Sequence, residues 1–347
     1  MSLSARVRAR AHELGFEQVG IARADLPLEV EHARYRAALA RGLHGPLDYL
    51  AANVDTRARL DGPDILAGAR SVVVVAARYD RPDADPVPAL ARGIARYARG
   101  RDYHNYLRKK VRKLAAFVRS LGEGIEARPM SDTAPVLERA WAARAGVGFV
   151  GKNGMVIAPG RGSYFLLAEV VTTLELEPDT PIEERCGRCT LCLDACPTQA
   201  FVAPFVLDAG ACLSTATIEQ RGPIPVHLRE AASHHLFGCD VCQEVCPFNG
   251  KERPPSRLSE RNVPHARWGE VSLVDLARLG MPGGGAFTDL VEGSPLHRAT
   301  EEGLARNAAL GLAHVEGSEA ALADLATQHP SAVVRDAAEW ALARRRR

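Results

Sequence analysis

The stretch CGRCTLCLDACP, Cys186 to Pro197, places four cysteines within eleven residues, and the chemistry that this spacing serves decides how the rest of the chain is read. Its pattern, C-x2-C-x2-C-x3-C-P, is the bacterial ferredoxin run, in which three close thiolates hold one 4Fe-4S cubane and the fourth reaches a second. A partner run follows: CDVCQEVCP gives Cys239, Cys242, Cys246 and Pro247, with Leu236 where a leading cysteine is expected. Cys212 is the remaining cysteine and fills the vacancy. The ligand sets then close as Cys186, Cys189, Cys192 and Cys246 on one cluster and Cys196, Cys212, Cys239 and Cys242 on the other. Zinc also takes paired C-x2-C motifs, but it explains neither the third close cysteine nor the proline after each fourth one. Two adjacent cubanes pass single electrons to a separate redox centre.

All 8 cysteines lie between Cys186 and Cys246, a distribution suited to inorganic ligation and unlike a disulfide framework spread over a small secreted domain. The 347-residue chain, 46% hydrophobic and 25% charged, is long enough for two or three modest domains. Its start, MSLSARVRARAHELGFEQVG, carries charge throughout and has neither a secretory signal nor a membrane span. A cytoplasmic protein with reduced thiols is expected. The net charge of +2 conceals a local excess: residues 91–120 hold ten Lys or Arg against the single acid Asp102. Such a stretch is an electrostatic footprint for a polyanion or a solvated helix face.

The β-branched run SVVVVAARY (Ser71–Tyr79) predicts a buried strand after helical patterns in the first fifty residues. Further strands are expected at Gly154–Pro159 and Ser163–Thr173. Between the first of these runs and the other two, DTAPVLERAWAARAG reads as a helix capped by Asp132 or Thr133, with Pro135 in its first turn and Gly146 at its end. The first 180 or so residues thus suggest one α/β domain. A linker-like segment, NGKERPPSRLSERNVP, follows the cysteines. Beyond it ARNAALGLA (Ala305–Ala313) and VRDAAEWAL (Val334–Leu342) repeat with a period of 29 residues, as in a short HEAT-like array or a plain helical hairpin. No G-x-G-x-x-G after a strand and no P-loop motif supports a nucleotide cofactor.

Several segments together resemble the epoxyqueuosine reductase family: HELGFEQVGIARA, YARGRDYHNYLRKKVRKLA, DTAPVLERAWAARAGVGFVGKNGMVI, CGRCTLCLDACPTQAF, TIEQRGPIP, FGCDVCQEVCPFN and GSPLHRATEEGLARNAALGL. The resemblance implies a multidomain α+β or α/β protein: an α/β cobalamin-binding catalytic domain at 1–178, a ferredoxin-like domain at 179–250, a connector at 251–293, and a short HEAT-like repeat at 294–347. It implies reduction of epoxyqueuosine to queuosine at the wobble position of tRNA, using cob(I)alamin fed by two 4Fe-4S clusters. Partners would be the tRNA anticodon stem-loop and an external electron donor, with no membrane and a monomeric protein. Asp132 would be the catalytic acid. Cobalamin contacts would come from Arg59, Asp132, Gly151, Lys152, Asn153 and Ser163, and tRNA contacts from Lys109, Lys110 and Lys113. DYHNYL begins like the D-x-H-x-x-G motif that gives cobalt a histidine ligand, but Leu107 stands where glycine is needed. His104 therefore reads as a structural or phosphate-facing residue. The alternatives are a small-molecule reductase resembling reductive dehalogenases, and a non-catalytic electron carrier or cobalamin-handling protein.

Overall fold

A computed structural model describes residues 1–80, 87–132, 134–250, 256–258 and 262–346. Six strands position the site: β1 (Gln18–Arg23), β2 (Ser71–Arg78), β3 (Ala127–Met130), β4 (Phe149–Val150), β5 (Val156–Ile157) and β6 (Phe165–Thr172). Four of them form one sheet in the order β1-β2-β6-β3, and β4 pairs with β5 beside it. Every pairing in the main sheet is antiparallel. This corrects the α/β expectation for the N-terminal half to α+β. The long apolar run misleads because helices cover both faces, so β2 is buried at every position, as a parallel strand would be.

Alternation along β2 shows the two faces. Val73, Val75 and Ala77 pack against Val7 and Ala11 of the helix Leu3–Glu13 and against Leu107, Val111 and Leu114 of the helix Tyr103–Arg119. Val72, Val74 and Ala76 face Trp141 and Ala142 of the helix Glu138–Arg144. Removing each such side chain from water contributes about 2 kcal/mol. On β1, a Cβ at Gly20 would lie 2.0 Å from the Ala145 carbonyl oxygen, so glycine lets that helix end close on the sheet.

The helix expected from Asp132 starts later, at Glu138, and its N-cap position, Leu137, makes no side-chain cap. Asp132 does not cap it because its carboxylate is taken by Tyr103 and His104. Thr133 lies outside the described residues, as do most of the linker segment and Arg347. The helix does end at Gly146, at φ 72°. The strand expected at Gly154–Pro159 contracts to the two residues of β5, whereas β6 fills most of Ser163–Thr173.

A third core joins Ile94, Ala98, Leu213, Leu228 and Phe237 to the C-terminal helices Thr300–Gly311, Glu319–Gln328 and Ala332–Arg345. The sequence repeat falls on the first and last of these helices, but its matched arginines serve different ends. Arg306, 2% exposed, donates to the carbonyls of Ala216, Gln220 and Gly222 at 2.9, 2.9 and 2.6 Å, tying the array to the cysteine segment. Arg335 instead bonds the carbonyls of His329 and Pro330 at the start of its own helix. Among the described residues no helix is long and apolar enough to cross a membrane.

Candidate functional site

None of the eight cysteines is in a disulfide, and they gather in two groups. Cys186 and Cys246 share an apolar pocket with Phe149, Ile157 and Phe248. Charge on Cys192 acts on Cys186, and charge on Cys246 and Cys189 acts on Cys192. Cys212 is influenced by Cys196, Cys239 by Cys212 and Cys196, and Cys242 by Cys239 and Cys212. Cys242 also senses Cys192 of the other group, so the two sets adjoin. Eight soft donors gathered in this way suit two cubanes. Burial pushes the Cys186 thiol up to about 11 and the Cys239 thiol up to about 12. Iron binding must therefore expel protons from these sulfurs.

The turn after β4 binds both cysteine loops. Lys152 Nζ donates to the carbonyls of Gly187 at 2.6 Å and Cys189 at 2.9 Å. The Asn153 amide donates to the Cys242 carbonyl at 3.2 Å, while its oxygen accepts from the Met155 N–H. Ser163 is buried and donates to Gln243 Oε1 at 2.9 Å; its backbone N–H donates to Asn249 Oδ1 at 2.8 Å. Lys152, Asn153 and Ser163, expected to touch a cofactor, are thus engaged in holding the cluster loops. Gly151 is needed for packing, since a Cβ there would meet Ile157 Cδ1 at 2.5 Å.

A cavity of about 270 Å³ lies beside this seam, lined by Tyr103, Asp132, Glu138, Met155 and Ser163 among others. At its mouth Asp132 sits in the left-handed region at φ 60°, its side chain 57% exposed. His104 Nε2 lies 3.0 Å from Asp132 Oδ2, and His104 Nδ1 lies 2.6 Å from Asp102 Oδ1. Asp102 also accepts the His104 backbone N–H as the N-cap of its helix. Tyr103 donates its hydroxyl to Asp132 at 3.4 Å.

Two carboxylates around one imidazole raise His104 to about 9, so it is an imidazolium at neutral pH. His104 in turn holds Asp132 below the ordinary carboxylate range, against the opposing effect of burial. The exchangeable proton therefore resides on His104, and the two residues titrate as one unit. His104 was read from sequence as structural or phosphate-facing. Its pairing with Asp102 is foreshadowed by the Asp-Tyr-His triplet opening a helix, although nothing local connects that triplet with residue 132. Arg298, ion-paired with Glu219 at 2.8 Å, adds positive charge acting on Asp132 from the C-terminal half.

The remaining expected contacts are dispersed. Arg59 pairs with Asp61 through two bonds of 2.6 Å at the surface. Lys109 and Lys113 are exposed, but Lys110 donates to the Leu14 carbonyl and lies 4.3 Å from the Tyr106 ring centroid. Exposed Arg108 and Arg112 extend the face that Lys109 and Lys113 present. Elsewhere Glu230, His234 and His314 come within metal-binding reach of one another. Arg344 already takes both Glu230 oxygens and Ser233 takes His314 Nε2, so those donors are spent.

The cavity suits a redox group placed between Asp132 and the second cysteine loop, because Ser163 both lines it and is bonded to that loop. Both His104 ring nitrogens are occupied by carboxylates, which fits a cobalamin held without a histidine beneath its cobalt. Two four-thiol sets adjoining a cavity with a proton-carrying Asp–His pair define an iron–sulfur oxidoreductase. Residues 185–249 match the 4Fe-4S double cluster binding domain, and residues 59–133 match the family described as epoxyqueuosine reductase QueG. The chain is 42% identical over 309 residues to the epoxyqueuosine reductase of Gloeobacter violaceus, covering 88% of this chain and 94% of the relative. It is 38% identical over 349 residues to that of Pseudomonas aeruginosa, covering 99% and 94%. A solved epoxyqueuosine reductase bound to an epoxyqueuosine-modified tRNA-Tyr stem loop is similar at a TM-score of 0.85 and 32% identity, over 99% of this chain and 90% of that one. A Bacillus subtilis epoxyqueuosine reductase with its catalytic aspartate loop swung out of the active site gives 0.84 and 32%, with the same coverage. The chain belongs to the epoxyqueuosine reductase family.

Proposed function

We propose that this chain reduces epoxyqueuosine to queuosine in tRNA, using cobalamin and two 4Fe-4S clusters, with Asp132 and His104 as its proton source. The observation that carries this reading is the Asp132–His104 pair opening on a cavity whose Ser163 side is bonded to the second cysteine loop. The reaction converts an epoxide to an alkene and releases its oxygen as water, so two electrons and two protons enter. Cobalamin, when bound, supplies a strongly reducing centre for this chemistry. Tyr103, Met155 and Ser163 would face it from the cavity lining, while Lys152 and Asn153 keep the cluster loops in place nearby.

Asp132 lines the cavity and therefore meets the departing oxygen; His104 stands behind it and carries the proton. As negative charge develops on the oxygen, one proton moves from His104 Nε2 through Asp132 to that oxygen, leaving a neutral imidazole whose Nδ1–H stays bonded to Asp102; the second proton of the released water comes from solvent. The exposed Arg108, Lys109, Arg112 and Lys113 face supplies charge for RNA phosphates. The C-terminal helices act as a short HEAT-like cap for the anticodon arm. Electrons come from an external donor, and the protein works as a cytoplasmic monomer.

Incubating the reconstituted protein with epoxyqueuosine-containing tRNA and a strong reductant tests the proposal. Nucleoside mass analysis should show loss of one oxygen with formation of the alkene. Unchanged nucleoside in the presence of intact clusters and cobalamin would refute the assigned activity.

A further inference from the structure

Behind Asp132 stands a carboxyl pair that the proton pathway above does not use. Glu138 lines the cavity and accepts the Asp132 backbone N–H on Oε1 at 2.7 Å. Glu169 lies on β6, opposite Met130 of β3 and Val74 of β2. It is 0% exposed, and its carboxyl oxygens meet no hydrogen-bond donor among the described residues; its polar neighbour is the second carboxyl, Glu138, to which a protonated Glu169 can donate. An acid so placed keeps its proton, because ionising it would leave a buried charge without donors beside a second carboxylate. Burial and the neighbouring Glu138 charge accordingly push Glu169 well above the ordinary range.

Asp132 needs an anchor of this kind. Its φ of 60° is costly for a residue with a side chain, on the order of 1 kcal/mol or more, and persists only where neighbours impose it. His104 and Tyr103 hold the carboxylate, but a substrate that engages the same oxygen competes with both. The bond from the backbone N–H to Glu138 does not face that competition.

We propose that Glu138, kept as the charge-bearing member of the pair by Glu169 behind it, is the positioning residue that locks Asp132 in its inward conformation. The proposal rests on the reading of Asp132 as the acid. An ionised acceptor gives a hydrogen bond roughly twice as strong as a neutral one. The groups acting on Glu138 are Asp132 from the loop, Glu169 from β6, and Arg139 on its own helix; the Asp132 N–H and the nearby Arg139 charge favour its ionised form, while burial opposes it and sets its titration at about 7. Tyr103 of the 103–119 helix also senses its charge. As pH falls through about 7 the lock weakens, and turnover acquires an acid limb.

The test uses holoenzyme with verified iron and cobalamin content, an epoxyqueuosine-modified stem loop, and hydrogen exchange at the Asp132 amide. Glu138→Ala should raise that exchange and lower kcat about tenfold or more, the effect of losing one charge-assisted hydrogen bond, with KM for RNA unchanged. Glu138→Gln, which retains an oxygen acceptor without the charge, should restore only part of the protection and of kcat, to the level wild type reaches on its acid side, while abolishing the acid limb. Wild-type exchange in Glu138→Ala, failure of glutamine to restore protection, or an acid limb persisting in Glu138→Gln would each overturn the proposal. Asp132→Asn separates the two ideas: normal turnover in it sinks the acid assignment, while exchange at residue 132 still reports whether Glu138 holds the loop.

Discussion

Lys152 Nζ lies 2.6 Å from the Gly187 carbonyl and 2.9 Å from that of Cys189, so one side chain fastens the first cysteine loop to the turn after β4. Asn153, next in sequence, fastens the second loop through Cys242. Adjacent residues thereby fix both ligand loops against the α+β body. Lys152→Met should leave the fold intact but speed iron loss from the first cluster to a chelator by roughly tenfold, the order expected from removing charge-assisted bonds. Asn153→Ala should act on the second cluster. Equal iron retention in wild type and both variants, followed by absorbance, would show that the turn has no part in holding the loops.

Cys212 is the ligand whose assignment depends on closing a set across a long interval. Its burial and its neighbours Cys196 and Cys239 put it with the second group. Cys212→Ser should reduce reconstituted iron from about eight atoms to about four, because one cubane loses a thiolate. The other cluster should keep its spectroscopic signature. Retention of both clusters together with full turnover would require a different eighth ligand.

How much of this was readable in advance depended on distance along the chain. The cysteine runs carry their chemistry locally, so spacing identifies seven of the ligands, and Cys212 is reached only by completing the set. Strand β2 was visible because the buried positions Val72 to Ala77 leave an uninterrupted apolar run, yet that run cannot report strand direction. Strand β1 was missed because its half-buried start, a glycine and a terminal arginine interrupt the pattern. Asp132 looked like a helix cap because its competing partner, His104, is 28 residues away. Glu169 offered a clue: a lone acid inside FLLAEVVT makes little sense on a buried strand unless another group shares its environment. Likewise Lys110 looks like its neighbours in sequence, and only folding brings the Leu14 carbonyl and Tyr106 ring to it.

The basic face of the 103–119 helix gives a prediction that distinguishes exposed charge from engaged charge. Replacing Arg108, Lys109, Arg112 and Lys113 with glutamine should weaken stem-loop binding and flatten its dependence on salt, since fewer counterions are then released on binding. Each lost phosphate contact should lower the log–log salt slope by about 0.7 to 0.9. Lys110→Met should reduce thermal stability with little effect on that slope, because its ammonium is used within the protein. An unchanged slope in the fourfold variant, measured by anisotropy, would make this a merely solvated face.

The Asp132–His104 pair yields the most demanding prediction because one titration governs both activity and stability. His104 is raised to about 9 by the hydrogen bonds it donates in the folded state, first to Asp102 and then to Asp132. A raised histidine stabilises the fold fully below its unfolded value, roughly 6.5, and that contribution disappears as pH rises through about 9. Turnover should follow the same proton and decline over the same alkaline window. Asp132→Asn retains a polar side chain at the site but cannot deliver the proton, so clusters, cobalamin and RNA binding should persist while turnover falls by roughly a hundredfold or more. Because the variant also removes one of the two carboxylates that raise His104, its thermal stability should fall below that of wild type at neutral pH, and the difference should shrink above pH 9 or so. Turnover near the wild-type level in Asp132→Asn would remove Asp132 from the proton path, whereas a stability difference independent of pH would mean that the imidazolium is not what links these two residues.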